Sequence, residues 1–268
     1  MKIITVSNPK GGAGKTVTSV NLAYALMRRN KKVLLIDSDP RSAIRAYLGI
    51  EKTDEEEKRE FTLDGLLKKH YEFRINSLKE YINEKNGVDV IISSPKIAKT
   101  ELLFKDYYGL KKEEFFEIFR NLIPLFKEYD YVIFDTEGTI NEMNIAILHA
   151  TNYIFIPTKS SSLDLNGVPD IIHTFKKIKK ENPELEIEIK KVFLVDVNDR
   201  TNSFKEAKQI FEDYFENSGI HFSENYIRHD QNLVNAMAQS KDIFSYKNSS
   251  NAAIDYRNLV DEFLEGEE

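Results

Sequence analysis

A glycine-rich segment, NPKGGAGKT, occupies residues 8–16 and stands between a short apolar run and a longer helical pattern. The run before it, Ile3 to Val6, is β-branched and predicts a buried strand. The pattern after it, Thr16 to Arg29, predicts a helix. Glycines between a strand and a helix let backbone N–H groups close around phosphate oxygens, and the helix N-terminus adds partial positive charge. The segment therefore predicts a phosphate-binding loop in an α/β fold.

Two lysines and a threonine give this loop its chemistry. Lys15 is placed to reach the β- and γ-phosphates of a nucleotide, and the Thr16 hydroxyl to help hold Mg²⁺. Pro9 stands where the plain G-x-x-x-x-G-K-[ST] pattern has its first glycine, so the segment fits K-G-G-x-G-K-T instead, with Lys10 ahead of the glycines. The alternative is a glycine-rich turn without a ligand. The loop residues expected to contact the nucleotide are Lys10, Gly11, Gly12, Ala13, Gly14, Lys15, Thr16 and Val17.

The alternation of short apolar runs and longer helical patterns continues along the chain. The further runs that predict strands are Val33 to Ile36, Val88 to Ile92, Tyr131 to Phe134, Tyr153 to Ile156 and Val192 to Val195. Helical patterns cover roughly 111–128, 139–149, 164–180, 201–217 and 250–264. Apolar strands that alternate with helices predict an α/β fold, a mostly parallel twisted sheet with helices on both faces. No repeat or linker divides the 268 residues, so a single domain is expected.

The charges are distributed unevenly along the chain. The formal net charge is −6, but residues 51–60 hold 6 acids against 3 bases, and residues 261–268 hold 5 acids and no base. The rest of the chain then carries 44 − 11 = 33 acids and 38 − 3 = 35 bases, so a nucleic-acid-binding face is neither announced nor excluded. Residues 51–87 predict a charged insert, helical around Leu63 to His70. Its role is either a partner or dimer contact, or simple solvation.

The composition excludes several classes of protein. Cysteine is absent from the 268 residues, which excludes disulfides, iron–sulfur clusters and Cys-ligated zinc. Hydrophobic residues make up 41%, with 13 Tyr and 17 Phe, which is enough for a core and too much for a disordered chain. No apolar run approaches the roughly 18 residues of a membrane span, and the first residues lack the features of a signal peptide. We therefore expect a soluble, cytoplasmic protein.

The loop resembles the deviant Walker A motif of the ParA/MinD family of P-loop ATPases, and the family's other motifs follow in order over nearly the whole chain. VLLIDSDP at 33–40 resembles the second motif, and YVIFD at 131–135 resembles Walker B. The stretches 156–164 and 227–253 resemble segments of the small ParF-type ParA proteins. The resemblance implies ATP or ADP and Mg²⁺ as cofactors, a homodimer that forms with ATP, and Mg-dependent ATP hydrolysis.

The resemblance also implies roles for individual polar residues. In the family the early lysine, here Lys10, reaches across a nucleotide-sandwich dimer to the partner's phosphates, as an arginine finger supplied in trans does. Asp39 corresponds to the residue that positions the attacking water, so Lys10, Lys15 and Asp39 are the expected catalytic residues. Asp37 and Asp39 have a structural alternative, as an Asx turn or a helix N-cap. The residues expected at the Mg²⁺ site are Thr16, Asp37 and Asp135.

The chain departs from the family's pattern in several places. Thr136-Glu137-Gly138 follows the Walker B strand where the family has small residues or prolines. Glu137 favours the start of a helix over a water-positioning carboxylate, because acids suit a first helical turn. Arg41 stands where the family often has Gln. The adenine pocket is weakly marked: Asp196 corresponds best to a base-contacting position, and Asn198 lies close to it in the sequence.

Within the family, ParA-like members bind DNA non-specifically as ATP dimers, and MinD-like members bind membrane through a basic amphipathic C-terminal helix. The acidic tail of this chain, 256–268, argues against a membrane partner. The expected partners are a second copy of the chain, non-specific DNA on the nucleoid, and a small DNA-binding adaptor of the ParB or ParG kind. The run 176–180 favours the C-terminal turn of a helix over a DNA contact. The candidates for DNA contact are Arg228, which corresponds to a DNA-contacting arginine of the family, and Arg200, Lys205 and Lys208.

Three functions compete at this point. We expect an ATP-dependent dimerising ATPase that partitions plasmid or chromosomal DNA. The first alternative is a ParA-like ATPase that positions a protein cargo on the nucleoid by the same cycle. The second and less favoured alternative is a P-loop metabolic enzyme of the biotin or cobalamin amidotransfer type, in which Lys10 is not expected. An iron–sulfur reductase would need cysteines that the chain lacks, and a kinase would need a C-terminal tyrosine cluster.

Overall fold

The structure is a computed structural model that describes residues 1–51, 60–160, 167–216 and 218–267. Its strands are β1 Lys2–Val6, β2 Val33–Asp37, β3 Asn83–Lys85, β4 Val88–Ile91, β5 Tyr131–Asp135, β6 Tyr153–Thr158, β7 Glu188–Val197 and β8 Ile227–Arg228. Within the described ranges they form one sheet, in the order β3-β4-β2-β5-β1-β6-β7-β8. Neighbouring strands are parallel except β3 and β4. The mostly parallel sheet that the sequence predicts is therefore confirmed.

Helices connect these strands and cover both faces of the sheet. They are α1 Lys15–Met27, α2 Ala43–Leu48, α3 Leu63–Phe73, α4 Thr100–Leu102, α5 Lys112–Phe116, α6 Glu142–His149, α7 Gly167–Glu181, α8 Asn202–Phe215, α9 Gln231–Ala238, α10 Ile243–Lys247 and α11 Asn251–Glu265. The described ranges also include 3₁₀ segments at Pro95–Lys99 and Arg120–Leu125 and a π-helical turn at Leu103–Tyr107.

The predicted strands are all present, but the sequence analysis missed the short strands β3 and β8. Strand β3 forms a hairpin with β4 through Asn86 and Gly87, whose φ angles are 49° and 90°. An Asn-Gly pair between strands is a strong hairpin signal, because both turn positions need positive φ. The signal was therefore in the sequence. Strand β8 is only two residues long and carries no comparable signal.

The predicted helix over 111–128 is wrong, because the chain breaks into two shorter pieces there. Helix α5 ends at Phe116, and the 3₁₀ segment that follows contains Pro124. Proline has no N–H to continue an α-helical ladder and clashes with the preceding turn. The other predicted helices are present with shifted ends. Residues 164–166 of the predicted helix over 164–180 lie outside the described residues.

Alternate side chains of each central strand point into opposite cores, as a sheet covered on both faces requires. In β2, Val33 and Leu35 pack in the core under α1 and α11, whereas Leu34 and Ile36 pack in the core on the other face. The helices α7 and α8 cover that second face over β6 and β7. The strand ends between these layers are where the polar residues of the predicted motifs lie.

Part of the predicted charged insert belongs to the core. Residues 52–59 lie outside the described residues, but α3 follows directly. Leu63, Leu66 and Leu67 of α3 are buried against β2 and β4. The described part of the insert is therefore not a purely solvated addition, because its apolar side chains fill space beside the sheet.

Candidate nucleotide-binding site

The carboxyl ends of the three central strands bring the predicted motifs together. Val6, at the end of β1, is in register with Asp135 at the end of β5, and Asp135 is in register with Asp37 at the end of β2. The glycine-rich loop leaves β1 at this edge and enters α1. In open parallel sheets, ligands bind outside the carboxyl ends of the strands. This edge is therefore the candidate site.

The shape of the loop depends on glycine at its last position. Gly14 has φ 83° and ψ 13° and directly precedes α1. A Cβ atom at Gly14 would lie 3.0 Å from Cγ2 of Val195 in β7, so a side chain there would be both strained and crowded. Asn8 fixes the start of the loop: its side chain donates to the Pro157 carbonyl at 2.9 Å and accepts from the Lys10 N–H at 3.0 Å. The sequence analysis did not single out Asn8.

Lys15 lies in the wall of the site and is almost fully buried, with 7% of its surface exposed. Its Nζ donates to the carbonyl oxygen of Lys10 at 3.0 Å. Burial lowers the pKa of Lys15, and the carboxylates of Asp135 and Asp39 oppose that shift. The cost of burying the Lys15 ammonium is offset only in part by these carboxylates, so an anionic ligand is favoured beside it.

Thr16 and Ser19 hold the two oxygens of one carboxylate. The Thr16 hydroxyl donates to Oδ2 of Asp135 at 2.7 Å, and the Ser19 hydroxyl donates to Oδ1 at 2.8 Å. Burial raises the pKa of Asp135 to about 6, although these two hydrogen bonds oppose the shift. Thr16 lines the cavity of the site, whereas Ser19 is fully buried behind it. A hydroxyl and a carboxylate at this spacing are ligands that suit Mg²⁺.

Asp37 is fully buried, and its carboxylate serves the backbone. Oδ1 accepts from the N–H of Asp39 at 3.0 Å, and Oδ2 accepts from the N–H of Ile44 in the first turn of α2 at 3.1 Å. Burial, and next the neighbouring Asp135 carboxyl, raise the pKa of Asp37. Both oxygens of Asp37 therefore act as the Asx-turn or helix-cap alternative predicts, by accepting backbone hydrogen bonds. This geometry gives no support to a direct contact between Asp37 and a metal ion.

Asp39 lines the cavity, and its side chain is 13% exposed. Its Oδ1 accepts from the backbone N–H of Arg41 at 2.8 Å, which is an Asx turn. Ser42, and not Asp39, is the N-cap residue of α2. Arg41 also lines the cavity, with its guanidinium Nε 3.7 Å from the Asp39 carboxylate. The Asx turn leaves the second carboxylate oxygen of Asp39 available to a ligand.

The segment after Walker B packs directly on the glycine-rich loop. A Cβ atom at Gly138 would lie 3.2 Å from the nitrogen of Gly11, so only glycine fits without displacing the loop. Glu137 accepts a hydrogen bond from the Asn141 side chain. The prediction that Glu137 starts a helix is wrong, because α6 begins at Glu142 with Asn141 as its N-cap. Asn141 takes over the capping because its side chain accepts from the Asn144 N–H at 2.8 Å.

A cavity of about 390 Å³ opens beside the loop, within the usual range for a small-molecule site. Its polar end is formed by the loop from Gly11 to Val17, together with Asp39 and Thr136. Its other end has apolar walls. These are formed by Val195, Ile227, Leu233, Val234, Met237 and Tyr256. A polar end for phosphates and an apolar end for a base fit the two halves of a nucleotide. Lys10 is half-buried and is not among the described residues that line the cavity.

Three hydrogen-bonded polar side chains line the cavity near its apolar end. Asp196, with φ 57°, accepts from Lys159 at 2.8 Å and from His229 at 2.6 Å. Burial alone would raise the pKa of Asp196, but these two hydrogen bonds hold it below its ordinary value. Asp196 thus lines the cavity, and its contact with a base stays a prediction. Asn198 is not in the cavity lining; its side chain accepts from the Arg200 N–H at 3.2 Å in the turn before α8, which weighs against a base contact.

The predicted DNA contacts differ in how their charges are used. Arg200 and Lys205 are exposed, and neither forms an ion pair within the described ranges. Lys208 pairs with Glu212 at 3.4 Å. Arg228 donates from Nη2 and Nε to the nearly buried carboxylate of Asp255, at 2.6 and 3.0 Å. Its role in DNA binding stays a prediction, but the ion pair gives it a structural role that the sequence did not suggest.

The acidic tail is held against the sheet. Glu262 of α11 accepts hydrogen bonds at 2.6–2.7 Å from four side chains: Lys191, Ser223, Asn225 and His221. Burial alone would raise the pKa of Glu262, but these donors lower it to about 2. Glu267 pairs with Lys190 at 2.8 Å. Within the described residues, the helices include none long and apolar enough to cross a membrane.

The fold and the loop together define a P-loop nucleotide-binding protein. Residues 1–189 match the family described as AAA domain. The chain is 31% identical over 217 residues to the sporulation initiation inhibitor protein Soj of Bacillus subtilis, which covers 79% of this chain and 81% of Soj. It is 29% identical over 194 residues to the chromosome partitioning protein ParA of Myxococcus xanthus, covering 70% of this chain but only 62% of that protein. The chain belongs to the ParA/MinD family of P-loop ATPases.

Solved structures share the fold over almost the whole chain. A variant of Cyanothece McdA in complex with ATP superposes with a TM-score of 0.81 at 19% identity, covering 98% of this chain and 96% of that chain. Cobyrinic acid a,c-diamide synthase from Mycobacterium smegmatis, with ADP and magnesium, superposes with a TM-score of 0.75 at 18% identity, covering 98% and 94%. Identities this low establish the shared fold alone.

Proposed function

We propose that this chain is an ATPase that dimerises with ATP and partitions plasmid or chromosomal DNA by non-specific, nucleotide-gated DNA binding. The observation that carries the proposal is the different placement of the two lysines of the loop. Lys15 lies in the cavity wall, whereas Lys10 lies outside the described cavity lining. A lysine at the loop but outside its own cavity suits a contact with the nucleotide of a second subunit. That arrangement makes dimerisation part of the catalytic cycle.

The residues of the site fit ATP with Mg²⁺. The loop N–H groups and Lys15 would hold the phosphates, and Thr16 and Asp135, already 2.7 Å apart, would hold the metal directly or through water. When bound, Mg²⁺ supplies positive charge to the phosphate oxygens. Asp37 would support the site without contacting the metal, because its hydrogen bonds fix the backbone around Asp39. Related folds solved with ATP and with ADP and magnesium support this assignment.

Asp39 would orient the attacking water. It reaches the cavity, and the Asx turn holds one of its oxygens while the other can accept a hydrogen bond from water. Lys10 of a second subunit would then place positive charge where the transferred phosphoryl group becomes more negative. Hydrolysis would remove the group that both subunits hold, so the dimer would separate.

DNA binding would depend on the dimer, because one subunit presents only half of the cations of the assembly. Arg200 lies in the turn before α8 and Lys205 in its first turn, both exposed and without ion pairs among the described residues. Joining two subunits doubles these cations on one assembly and raises the affinity for a polyanion. The resulting carrier would work on the nucleoid with a small DNA-binding adaptor. The name of the relative from Myxococcus xanthus, chromosome partitioning protein ParA, supports a partitioning role.

A metabolic amidotransfer enzyme is the competing function that the fold alone does not separate, since cobyrinic acid a,c-diamide synthase shares it. The glycine-rich loop favours the partitioning ATPase over the amidotransfer enzyme, because a lysine at the position of Lys10 is not expected in such enzymes. A ParA-like ATPase that positions a protein cargo would use the same site, so it differs only in what the adaptor carries.

Fluorescence anisotropy on unrelated DNA duplexes, with ATP and with ADP over a salt series, tests the proposal. We expect binding that requires ATP, is insensitive to sequence and weakens steeply with salt, because counterions are released from each phosphate contacted. Light scattering on the same samples should show the dimer only with ATP. No ATP-dependent binding to any duplex at low salt would overturn the DNA-carrier function.

A further inference from the structure

Helix α7 carries four basic side chains in one row on its outer face. They are His173, Lys176, Lys177 and Lys180, and we name them the α7 basic stripe. Their spacing of i, i+3, i+4 and i+7 places them on one side of a helix. All four are exposed, and the opposite side of α7 is buried in the core through Val168, Ile171 and Ile178. The sequence prediction that the run 176–180 closes a helix is thus correct, but it describes only part of the arrangement.

The stripe differs from several nearby lysines whose charges are paired. Lys159, Lys190, Lys191 and Lys208 all form ion pairs, at distances of 2.6 to 3.4 Å. The members of the stripe form none within the described ranges. The acids of α7 are at its two ends, in the first turn and at the last residue. The positive charge of the stripe is therefore not neutralised on its own surface.

The stripe extends the surface that holds the candidate DNA contacts of α8. Helices α7 and α8 cover the same face of the sheet and share one apolar core. Each connects two parallel strands, so each begins at the edge where the strands end and runs back along the sheet. Arg200 lies just before α8, and Lys205 lies in its first turn. Helix α7 is about 20 Å long at 1.5 Å per residue, and the stripe lies toward its C-terminal end. The stripe therefore adds cations farther from the strand ends, on the same face of the sheet.

We infer that the α7 basic stripe is a second contact for the phosphate backbone of duplex DNA, an inference that rests on the proposed function. From His173 to Lys180 the helix axis advances about 10 Å, whereas a duplex carries one phosphate charge per about 1.7 Å of its axis. Each lysine can therefore meet a phosphate of its own. An anionic membrane fits less well, because an interfacial helix needs an exposed apolar face and that of α7 is buried against the sheet.

The test is the triple variant K176Q/K177Q/K180Q of the full chain, assayed for duplex binding with ATP over a salt series. Glutamine removes the charge and keeps a good helix former. Each lost phosphate contact should make the slope of log affinity against log salt shallower by about 0.9, so up to about 2.7 for the three lysines. Affinity at low salt should fall at least tenfold.

The matched control is K79Q/K99Q/K127Q, which removes the same charge from three exposed lysines without ion pairs among the described residues. This control separates a local contact from the effect of net charge, and we expect the parental slope for it. Equal slopes for the two triple variants would overturn the stripe as a DNA contact. A lower melting temperature of K176Q/K177Q/K180Q with a parental slope would also overturn it, since the lysines would then only stabilise the end of α7.

Two further outcomes distinguish the inference from the proposed function. If the parental protein binds no duplex with ATP, the proposed function fails and the stripe fails with it. If the parent binds and K176Q/K177Q/K180Q keeps the parental slope, the stripe alone fails.

Sedimentation with phosphatidylglycerol vesicles tests a membrane as the partner of the stripe instead. Vesicle binding that K176Q/K177Q/K180Q abolishes, together with unchanged DNA binding, would overturn the DNA contact in favour of a membrane.

Discussion

The Thr16 hydroxyl donates to the Asp135 carboxylate at 2.7 Å, although the two residues are 119 positions apart in the sequence. Ser19, one turn further along α1, donates to the other oxygen of the same carboxylate at 2.8 Å. The predicted metal site is therefore built on a hydrogen-bonded unit in which one donor faces the cavity and the other is buried. This difference allows the metal role of Thr16 to be separated from its structural role.

T16A should remove the effect of Mg²⁺ on nucleotide affinity. The variant loses a hydroxyl that would contact the metal, so we expect the gain in ATP affinity on adding Mg²⁺ to fall at least tenfold, about 1.4 kcal/mol. Calorimetric titration with a non-hydrolysable ATP analogue, with Mg²⁺ and with EDTA, measures it. S19A is the matched control, because it removes the other hydrogen bond to Asp135 without removing a cavity-facing hydroxyl. Loss of the Mg²⁺ effect in both variants would contradict a specific role for Thr16.

K15A and K10A should separate nucleotide binding from dimerisation. Lys15 lies in the cavity wall, so K15A should weaken ATP binding at least tenfold, since a charge-assisted hydrogen bond is lost. Lys10 lies outside the described cavity lining, so K10A should keep the affinity of one subunit for ATP and lose dimer closure and hydrolysis. Calorimetry and light scattering give the two quantities. An equal loss of ATP affinity in both variants would contradict a role for Lys10 in trans.

D39A should bind ATP, dimerise and remain dimeric, because hydrolysis is what releases the dimer. D39N keeps the Asx turn, since its amide oxygen can still accept from the Arg41 N–H. We therefore expect D39N to retain the parental melting temperature and still to lose most of the hydrolysis. Phosphate release and thermal unfolding measure the two effects. Parental hydrolysis in D39N would assign Asp39 to the turn alone.

R228E and R200E should differ in what they damage. Arg228 is paired with the nearly buried Asp255, so R228E places two carboxylates in contact and should cost about 2 kcal/mol of stability, between the values typical of exposed and buried pairs. R200E changes an exposed side chain and should lower DNA affinity at an unchanged melting temperature. Thermal unfolding and anisotropy measure both variants. A stable R228E with weak DNA binding would restore Arg228 as a DNA contact.

The four donors around Glu262 should make the fold sensitive to acid. The pKa of Glu262 is about 2 in the folded protein and lies near its ordinary value in the unfolded chain. Glu262 therefore binds a proton more readily when the chain is unfolded, and acid favours unfolding. Its contribution, on the order of 2–3 kcal/mol, is complete above about pH 4.5 and is lost as the pH falls toward 2. E262Q should therefore be less stable than the parent at pH 7, and the difference should shrink with acid.

Chemical unfolding at several pH values measures this dependence. E265Q, an exposed position of the same helix, is the matched control and should follow the parent at every pH. A constant gap between E262Q and the parent from pH 7 to pH 3 would show that the hydrogen-bonded network does not depend on the charge of Glu262.

The sequence by itself determined the elements whose signal is local. The strand, loop and helix from Ile3 to Arg29 follow from a continuous β-branched apolar run, glycines and a period-3.6 pattern in one short stretch. The same holds for the strands that end at Asp37 and Asp135, because buried parallel strands are short apolar runs. The predicted helix over 111–128 ends already at Phe116, and Pro124 accounts only for the absence of an α-helical turn over 120–124, although that signal was also local.

Only the tertiary structure decided which polar groups meet. Asp37 and Asp135 end strands and Asp39 follows one. The carboxylate of Asp37 accepts from the backbone, that of Asp39 reaches the cavity, and that of Asp135 accepts from the hydroxyls of α1. Arg228 and Asp255 pair across 27 residues, and Asp196 lines the cavity whereas Asn198, two positions further on, is not among its described lining residues. Such partners depend on strand register and helix packing, because a side chain interacts with whatever the fold brings within about 3 Å, and sequence spacing does not encode that distance.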